Sequence, residues 1–196
     1  MSRAEIRPPL GPRLLGGALI LSALGGALWF GQAVLRAALA PTELGRPAPG
    51  FAEEALSGAP VRLADLRGKV VLLDFWSVRC VGCIGATPKH NALARAYGPD
   101  GLVVLGVNQD PEEVERVKTY AEDRPVEFPT VVDDGAIADA FGITVLPAVV
   151  LIDAEGMIRA RHVGAVTQQQ LVRDVERLLA EAERSSDGAA MAASAR

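Results

Sequence analysis

Short runs of apolar residues along the chain predict the strands of a buried sheet. Three runs are continuous and lack polar alternation, a pattern typical of strands covered on both faces. A fourth run follows the third through residues 153–156 (DAEG), a turn-forming sequence that predicts a hairpin. The four predicted strands are Val70–Trp76, Leu102–Val107, Ala148–Asp153 and Met157–Val163.

Two helices have clear start signals between and after these strands. Residues 110–113 (DPEE) offer an N-cap at Asp110, a proline in the first turn and an acid three residues after the cap. Residues 167–170 (TQQQ) open a C-terminal helix with leucine and valine at helical spacing. The element order predicts a three-layer α/β domain whose mixed sheet begins parallel and ends antiparallel, with helices on both faces.

The N-terminal region contains an uncharged apolar stretch that is long enough to span a membrane. Residues 14–35 lack any charge, and a helix of this length covers about 33 Å against a hydrocarbon core of about 30 Å. Three arginines precede the stretch, which favours a cytoplasmic N-terminus and export of the rest. A cleaved signal peptide ending at residues 38–40 (ALA) is the alternative. An uncleaved single-pass anchor in the inner membrane is the preferred interpretation.

These patterns divide the chain into five segments. Residues 185–196 are small and polar, with almost nothing to bury, and are expected to be disordered. The predicted segments are a cytoplasmic N-terminus (1–13), a transmembrane signal-anchor (14–36), a linker (37–44), an α/β domain (45–184) and the tail (185–196).

Charge argues against nucleic-acid binding. The net charge of the chain is −4, and residues 1–40 carry +3, so the remainder carries −7. A nucleic-acid-binding domain needs a basic face to neutralise phosphates, and an acidic domain does not provide one.

The chain's two cysteines, Cys80 and Cys83, form one C-x-x-C at the end of an apolar strand. Such a pair can close a disulfide, bind a metal or exchange disulfides with other proteins. At the first turn of a helix, the backbone N–H groups and the macrodipole favour thiolate over thiol. We therefore predict that Cys80 attacks and Cys83 resolves the mixed disulfide. Arg79 either folds back to support the Cys80 thiolate or faces solvent.

Four residues outside this pair have side chains that could bear on its chemistry or on the local structure. Asp74 is a carboxylate within an apolar strand, where it either accepts the proton of Cys83 through a water or reaches solvent at the strand end. Pro147 enters a strand after Leu146, which favours a cis peptide bond. His90 and His162 have no metal-ligand spacing, and surface or structural roles are expected for both.

Over residues 44–180 the sequence resembles the membrane-anchored, thioredoxin-like disulfide oxidoreductases of the TlpA, ResA and CcmG group. The resemblance rests on several ordered matches in addition to the C-x-x-C. The matching stretches are residues 45–51 (GRPAPGF), 61–70 (VRLADLRGKV), 74–76 (DFW), Pro88, 146–147 (LP) and 151–156 (LIDAEG).

This resemblance implies a thioredoxin fold in the periplasm that reduces disulfides in exported proteins, such as clients of cytochrome c or copper-oxidase assembly. Electrons would come from a membrane donor protein, because the periplasm keeps no reducing thiol pool. Pro147 matches the family's cis-proline, and Leu146 would offer backbone hydrogen bonds to a bound strand. Trp76 and Arg79 complete the predicted substrate-binding set. No cofactor beyond the cysteine pair and no metal is expected.

Other acids and several departures from the family pattern also bear on the site. Asp74 matches the buried acid of thioredoxin, and Asp110 or Glu112 could supply the further acid that the family often places near the site. The family's usual tryptophan before the first cysteine is Arg79 here, the pair between the cysteines is Val81-Gly82, and the acid usual after the second cysteine is missing around residues 85–86 (GA).

Two other functions share parts of this pattern. A redoxin-type thiol peroxidase has the same fold and the Pro-Ala-Pro opening, but Val78 and Arg79 occupy the approach to Cys80. A metallochaperone could hold Cu(I) between the two thiolates, which suit a soft metal but form a weak site without further ligands.

Overall fold

The computed structural model describes residues 44–194, so the predicted membrane span at 14–36 lies outside the described residues. Within residues 44–194, no helix has the length and apolar character needed to cross a membrane. These residues form a five-stranded sheet with helices on both faces and a separate two-stranded sheet near the start.

The strands are β1 (Ala52–Glu54), β2 (Pro60–Arg62), β3 (Val70–Trp76), β4 (Leu102–Asn108), β5 (Thr130–Val132), β6 (Ala148–Ile152) and β7 (Ile158–Val163). The helices are α1 (Val81–Tyr97), α2 (Val114–Asp123), α3 (Ala136–Ala140) and α4 (Gln168–Ser194), with 3₁₀ turns at Leu63–Leu66 and Pro111–Glu113. Strands and helices alternate from β3 to β6, whereas β1 and β2, and β6 and β7, follow each other directly.

The main sheet has the strand order β5-β4-β3-β6-β7. Strands β3, β4 and β5 run parallel, whereas β6 is antiparallel to both β3 and β7. The predicted mixed sheet is therefore confirmed. All seven residues of β3 are buried, as their continuous apolar pattern indicated, because β3 lies at the centre of the sheet and is covered on both faces.

Side chains of β3 alternate between two apolar layers. Val71, Leu73 and Phe75 pack on one side with residues of α3 and with Phe141, which directly follows it. The ring centroids of Phe75 and Phe141 lie 5.9 Å apart. Val70 and Leu72 pack on the opposite side against α1 and α4. Asp74 and Trp76 share this second side by alternation, so they face the helix that begins with the cysteine pair.

The C-terminal helix confirms one prediction and corrects another. Thr167 and Gln170 form a reciprocal cap, in which the Gln170 N–H donates to Thr167 Oγ1 and the Thr167 N–H donates to Gln170 Oε1, both at 3.2 Å. The disorder expected for residues 185–196 is wrong over 185–194, because α4 continues to Ser194. Alanine has the highest helix propensity, and the alanine-rich tail extends a helix that is already anchored upstream.

Sequence patterns also missed three short strands. β1, β2 and β5 have only three residues each, and β1 and β2 are largely exposed, so none of them produces a long apolar run. β5 is an edge strand that pairs with β4 over residues 106–108.

Candidate active site

The cysteine pair lies where the central strand β3 leads into helix α1. Cys80 is the N-cap residue of α1, and Cys83 lies in its first turn. The two form a disulfide with their Cα atoms 5.2 Å apart. Cys80 is half-buried, whereas Cys83 is only 1% exposed. A partner protein can therefore reach the sulfur of Cys80 more easily than that of Cys83.

Backbone N–H groups at the start of α1 point toward Cys80. The Cys83 N–H donates to Cys80 Sγ at 3.1 Å, and the Cys83 and Ile84 N–H groups also approach the Cys80 carbonyl oxygen. After reduction, this donor and the positive end of a 17-residue helix favour a thiolate on Cys80. The geometry supports the prediction that Cys80 attacks and Cys83 resolves.

A buried carboxylate holds the loop that leads into Cys80. Asp110 accepts hydrogen bonds from Ser77 Oγ (2.7 Å), the Val78 N–H (2.8 Å) and Asn108 Nδ2 (3.0 Å). The Ser77 hydroxyl oxygen in turn accepts from the Arg79 N–H at 3.0 Å. Asp110 thus connects the end of β4 to the three residues before the nucleophile.

These bonds change the predicted role of Asp110. Asp110 is the N-cap residue of the 3₁₀ turn Pro111–Glu113, as expected, but its side chain makes no capping hydrogen bond. The carboxylate is directed instead to the loop at residues 77–78. Glu112, the other candidate for an additional acid near the site, is exposed. Of the two candidates, the structure brings Asp110 into the site.

Arg79 forms an ion pair with a glutamate of the segment that follows β4. Its guanidinium contacts one oxygen of Glu113, whose other oxygen contacts Arg116 at 2.9 Å. The sequence left open whether Arg79 folds back onto Cys80 or faces solvent. The structure places its side chain at the surface, 61% exposed, with part of its charge neutralised by Glu113.

Pro147 packs directly against the first turn of α1, between the two cysteines. The Leu146–Pro147 peptide bond is cis, as expected. A Cβ atom built on Gly82 would lie 3.4 Å from Pro147 Cδ, so the proline ring lies close to the Gly82 backbone. Leu146 packs beside the cluster that contains Cys83.

Exposed apolar side chains flank the same position. Val81, between the cysteines, is 84% exposed, and Val145 is 55% exposed. We call Val81, Val145, Leu146 and Pro147 the client surface. Such an apolar surface beside a reactive sulfur is suited to contact an extended peptide.

Trp76 lies beneath this surface and does not form part of it. It is 3% exposed and packs with Cys83 and Val117, and its ring centroid lies 5.4 Å from that of Tyr120. Trp76 does not line the exposed surface, because its position at the end of a fully buried strand turns the indole toward the interior, and its contact with substrate stays a prediction. Trp76 supports the resolving cysteine from below.

Asp74 does not reach solvent, and its partner is one of the two histidines. Asp74 Oδ2 lies 2.8 Å from His90 Nδ1, and both side chains are almost fully buried. This pair was not expected from the sequence, where His90 has no metal-ligand spacing to other residues. The available signal was the spacing Cys83, Thr87 and His90, which places all three on one face of a helix, and all three are buried.

The second histidine lies elsewhere in the fold. His162 of β7 contacts Asp174 of α4 at 2.9 Å, and both side chains are about one-quarter exposed. This is a structural contact between a strand and a helix, consistent with the expectation for His162. Within residues 44–194, no three His, Cys, Asp or Glu side chains group in a way that could hold a metal ion.

Comparisons with known proteins agree with this geometry. Residues 44–161 match the AhpC/TSA family. The chain is 32% identical over 163 residues to the thiol-disulfide oxidoreductase ResA of Bacillus thuringiensis, covering 81% of this chain and 92% of ResA.

Solved structures show the same likeness. A Chlorobium tepidum protein assigned to the DsbE thiol:disulfide interchange proteins superposes with a TM-score of 0.67 and 30% identity, covering 70% of this chain and 98% of that one. A secreted Mycobacterium tuberculosis disulfide oxidoreductase homologous to DsbE superposes with a TM-score of 0.58 and 26% identity, covering 65% of this chain and 96% of that one.

Proposed function

This chain belongs to the AhpC/TSA family and is a thiol-disulfide oxidoreductase of the ResA and DsbE type, and we propose that it reduces disulfides in exported proteins. One observation carries the proposal: the two sulfurs differ in access, with Cys80 half-buried beside the client surface and Cys83 buried beneath it. A single attacking thiol with a protected resolving thiol is the arrangement that disulfide exchange requires.

The proposed reaction transfers two electrons from the dithiol to a client disulfide. The Cys80 thiolate attacks one client sulfur, the client S–S bond breaks and the second client sulfur leaves as a thiolate that takes up a proton. Cys83 then loses its proton and attacks Cys80 Sγ. The mixed disulfide breaks, the first client sulfur leaves as a thiolate, and the Cys80–Cys83 bond forms.

The proposed location is the periplasmic side of the inner membrane, held by the anchor expected at residues 14–36. The uncharged stretch in the sequence supports this proposal. So does the similarity to a disulfide oxidoreductase described as secreted. Outside the cytoplasm the Cys80–Cys83 disulfide would be reduced again by a membrane electron-donor protein, because no reducing thiol pool exists there.

The proposed clients are proteins of cytochrome c or copper-oxidase assembly. Covalent haem attachment uses a Cys-x-x-Cys-His motif, and copper sites use cysteine thiolates, so both need their cysteines reduced before they acquire the group. An exported reductase would supply that reduction.

Reduction of insulin by purified protein tests the enzymatic part of the proposal. We expect that Cys80→Ser abolishes turnover, whereas Cys83→Ser attacks once and remains linked to its client as a mixed disulfide. A Cys80→Ser protein with full reductase activity would disprove the assigned chemistry. Spheroplasts that carry Cys83→Ser are first treated with dithiothreitol, which frees Cys80 from its mixed disulfide, and are then labelled with a membrane-impermeant maleimide; protection of Cys80 until the inner membrane is lysed would contradict the location.

A thiol peroxidase remains the second candidate within the same fold. Ser77 lies three residues before Cys80 and supplies the hydroxyl that a peroxidase needs, so the expectation that Val78 and Arg79 leave no such hydroxyl before Cys80 is wrong. Its hydroxyl group donates to Asp110 and accepts from Arg79, so it is committed to the loop. We expect hydrogen peroxide consumption far slower than disulfide reduction, and the reverse order would favour the peroxidase.

A further inference from the structure

A buried acid–base pair lies on the inner face of α1. Asp74 and His90 are each 1% exposed, and their Oδ2 and Nδ1 atoms are 2.8 Å apart. Within residues 44–194, Asp74 Oδ1 and His90 Nε2 have no hydrogen-bond partner. Buried polar atoms normally have a hydrogen-bond partner, so two unpartnered atoms in one buried pair indicate a role beyond packing.

The pair lies on the same side of the sheet as the resolving cysteine. His90 follows Cys83 by two helical turns, about 10 Å along α1, and Thr87 lies between them. From the strand side, Trp76 packs on Cys83 and is two residues from Asp74 on the same face of β3. On this face of β3, Trp76 therefore packs against Cys83, and Asp74, two residues before it, contacts His90.

The surroundings of Asp74 contain few groups that titrate. Its neighbours across the sheet are Gly106 of β4 and Val149 of β6, and Gly106 pairs with Thr130 of β5. Helix α4 covers this face with apolar side chains. The titratable groups on this side of the sheet among residues 44–194 include Cys83 and His90 of α1, His162 of β7, which pairs with Val149, and Asp174 of α4, which contacts His162. The residues of α1 and α4 that face this layer are Cys83, Thr87, His90, Leu93, Leu171, Val175 and Leu178.

We propose that His90 is a positioning residue for the resolving step: its Nδ1–H donates to Asp74 Oδ2, orients the carboxylate and leaves Oδ1 free to take the proton of Cys83. This inference rests on the proposed function. A buried carboxylate without a donor is costly and retains its proton instead. With the donor in place, the Cys83 thiol gives up its proton toward Oδ1, and the thiolate attacks Cys80 Sγ and expels the client thiolate.

Two-phase kinetics with dithiobis(nitrobenzoate) isolate this step. Attack by Cys80 on the reagent releases one coloured thiolate, and attack by Cys83 on the mixed disulfide releases the second. Purified, fully reduced protein is mixed with the reagent in a stopped-flow instrument between pH 5 and pH 10. The rate of each release is measured against pH.

Two substitutions of His90 separate hydrogen bonding from packing. His90→Leu removes the donor, and we expect the second release to slow about tenfold or more at pH 7. The pH at which this release reaches half its maximum rate should rise by about one to two units, because the loss of one hydrogen bond to a charged group corresponds to a shift of this size. His90→Asn keeps an N–H donor near the position of Nδ1 and should restore most of the rate. The first release should change little in either variant.

His162→Gln is the matched control, because it removes a histidine from a second His–Asp contact that is remote from the cysteines in sequence and lies between β7 and α4. We expect both of its releases to match the wild type. The inference is overturned if His90→Leu leaves the second release and its pH profile unchanged, or if His90→Asn is as slow as His90→Leu. Absence of the first release in the wild type would instead contradict the proposed function.

Discussion

The carboxylate of Asp110 should contribute more to stability than any other polar side chain near the site, and its removal tests how the active-site loop is held. Asp110→Ala deletes the acceptor of three buried hydrogen bonds, from Ser77, Val78 and Asn108. Three donors then remain in a buried region without this partner. Each unsatisfied buried group costs about 1–3 kcal/mol, and loss of one member of a buried network typically costs about 3–5 kcal/mol in total.

This loss is large compared with the free energy of unfolding of a domain, about 5–15 kcal/mol. For a domain of this size, about 3–5 kcal/mol lowers Tm by roughly 6–20 °C. Asp110→Asn keeps the shape but exchanges one acceptor for a donor, so an intermediate loss of about 1–2 kcal/mol is expected. Guanidinium denaturation of the oxidised proteins, followed by circular dichroism, measures all three free energies.

Glu112→Ala is the matched control, because it removes an exposed acid two residues away. Exposed substitutions without specific contacts usually change stability by less than about 0.5 kcal/mol. If Asp110→Ala is no less stable than Glu112→Ala, the three hydrogen bonds do not hold the loop and the assigned role of Asp110 is refuted.

Two other substitutions test the layer below the site and the C-terminal helix. In Gly106→Ala, the new Cβ would lie 2.6 Å from Thr130 Oγ1, and we expect the free energy of unfolding, measured by thermal unfolding, to fall by about 1–3 kcal/mol. In the control Gly85→Ala, the new Cβ in α1 meets nothing within 4 Å, and the free energy of unfolding should rise by about 0.5–1 kcal/mol. Equal effects would contradict the crowding at Gly106. Thr167→Ala removes the cap shared with Gln170 and should cost about 1 kcal/mol, and an unchanged midpoint in urea would show that the cap contributes nothing.

The parts of the fold with strong sequence signals were predictable, because long buried strands leave continuous apolar runs. β3 spans the residues predicted for it, and β4, β6 and β7 differ by one residue at one end. The three-residue strands bury too little to leave such a pattern. The alanine-rich end of α4 was not predictable from hydrophobicity, because helix propensity and the anchored helix upstream decide its structure.

The candidate site was predictable where chemistry is local and unpredictable where it depends on tertiary contacts. The cysteine pair and Pro147 were identified from adjacent residues. The contacts of Asp110 with Ser77 cross 33 residues, and the Asp74–His90 contact joins a strand to a helix. No spacing in the sequence specifies either contact, because both depend on how α1 and β4 pack beside β3.

The reduction potential of the Cys80–Cys83 couple tests the central claim most directly. It is measured by equilibrating the purified protein with glutathione or dithiothreitol buffers of known ratio and counting free thiols. A protein-disulfide reductase should have a potential closer to that of thioredoxin, about −270 mV, than to that of the oxidant DsbA, about −120 mV. A value near that of DsbA would contradict the account, because electrons would then flow from client to enzyme.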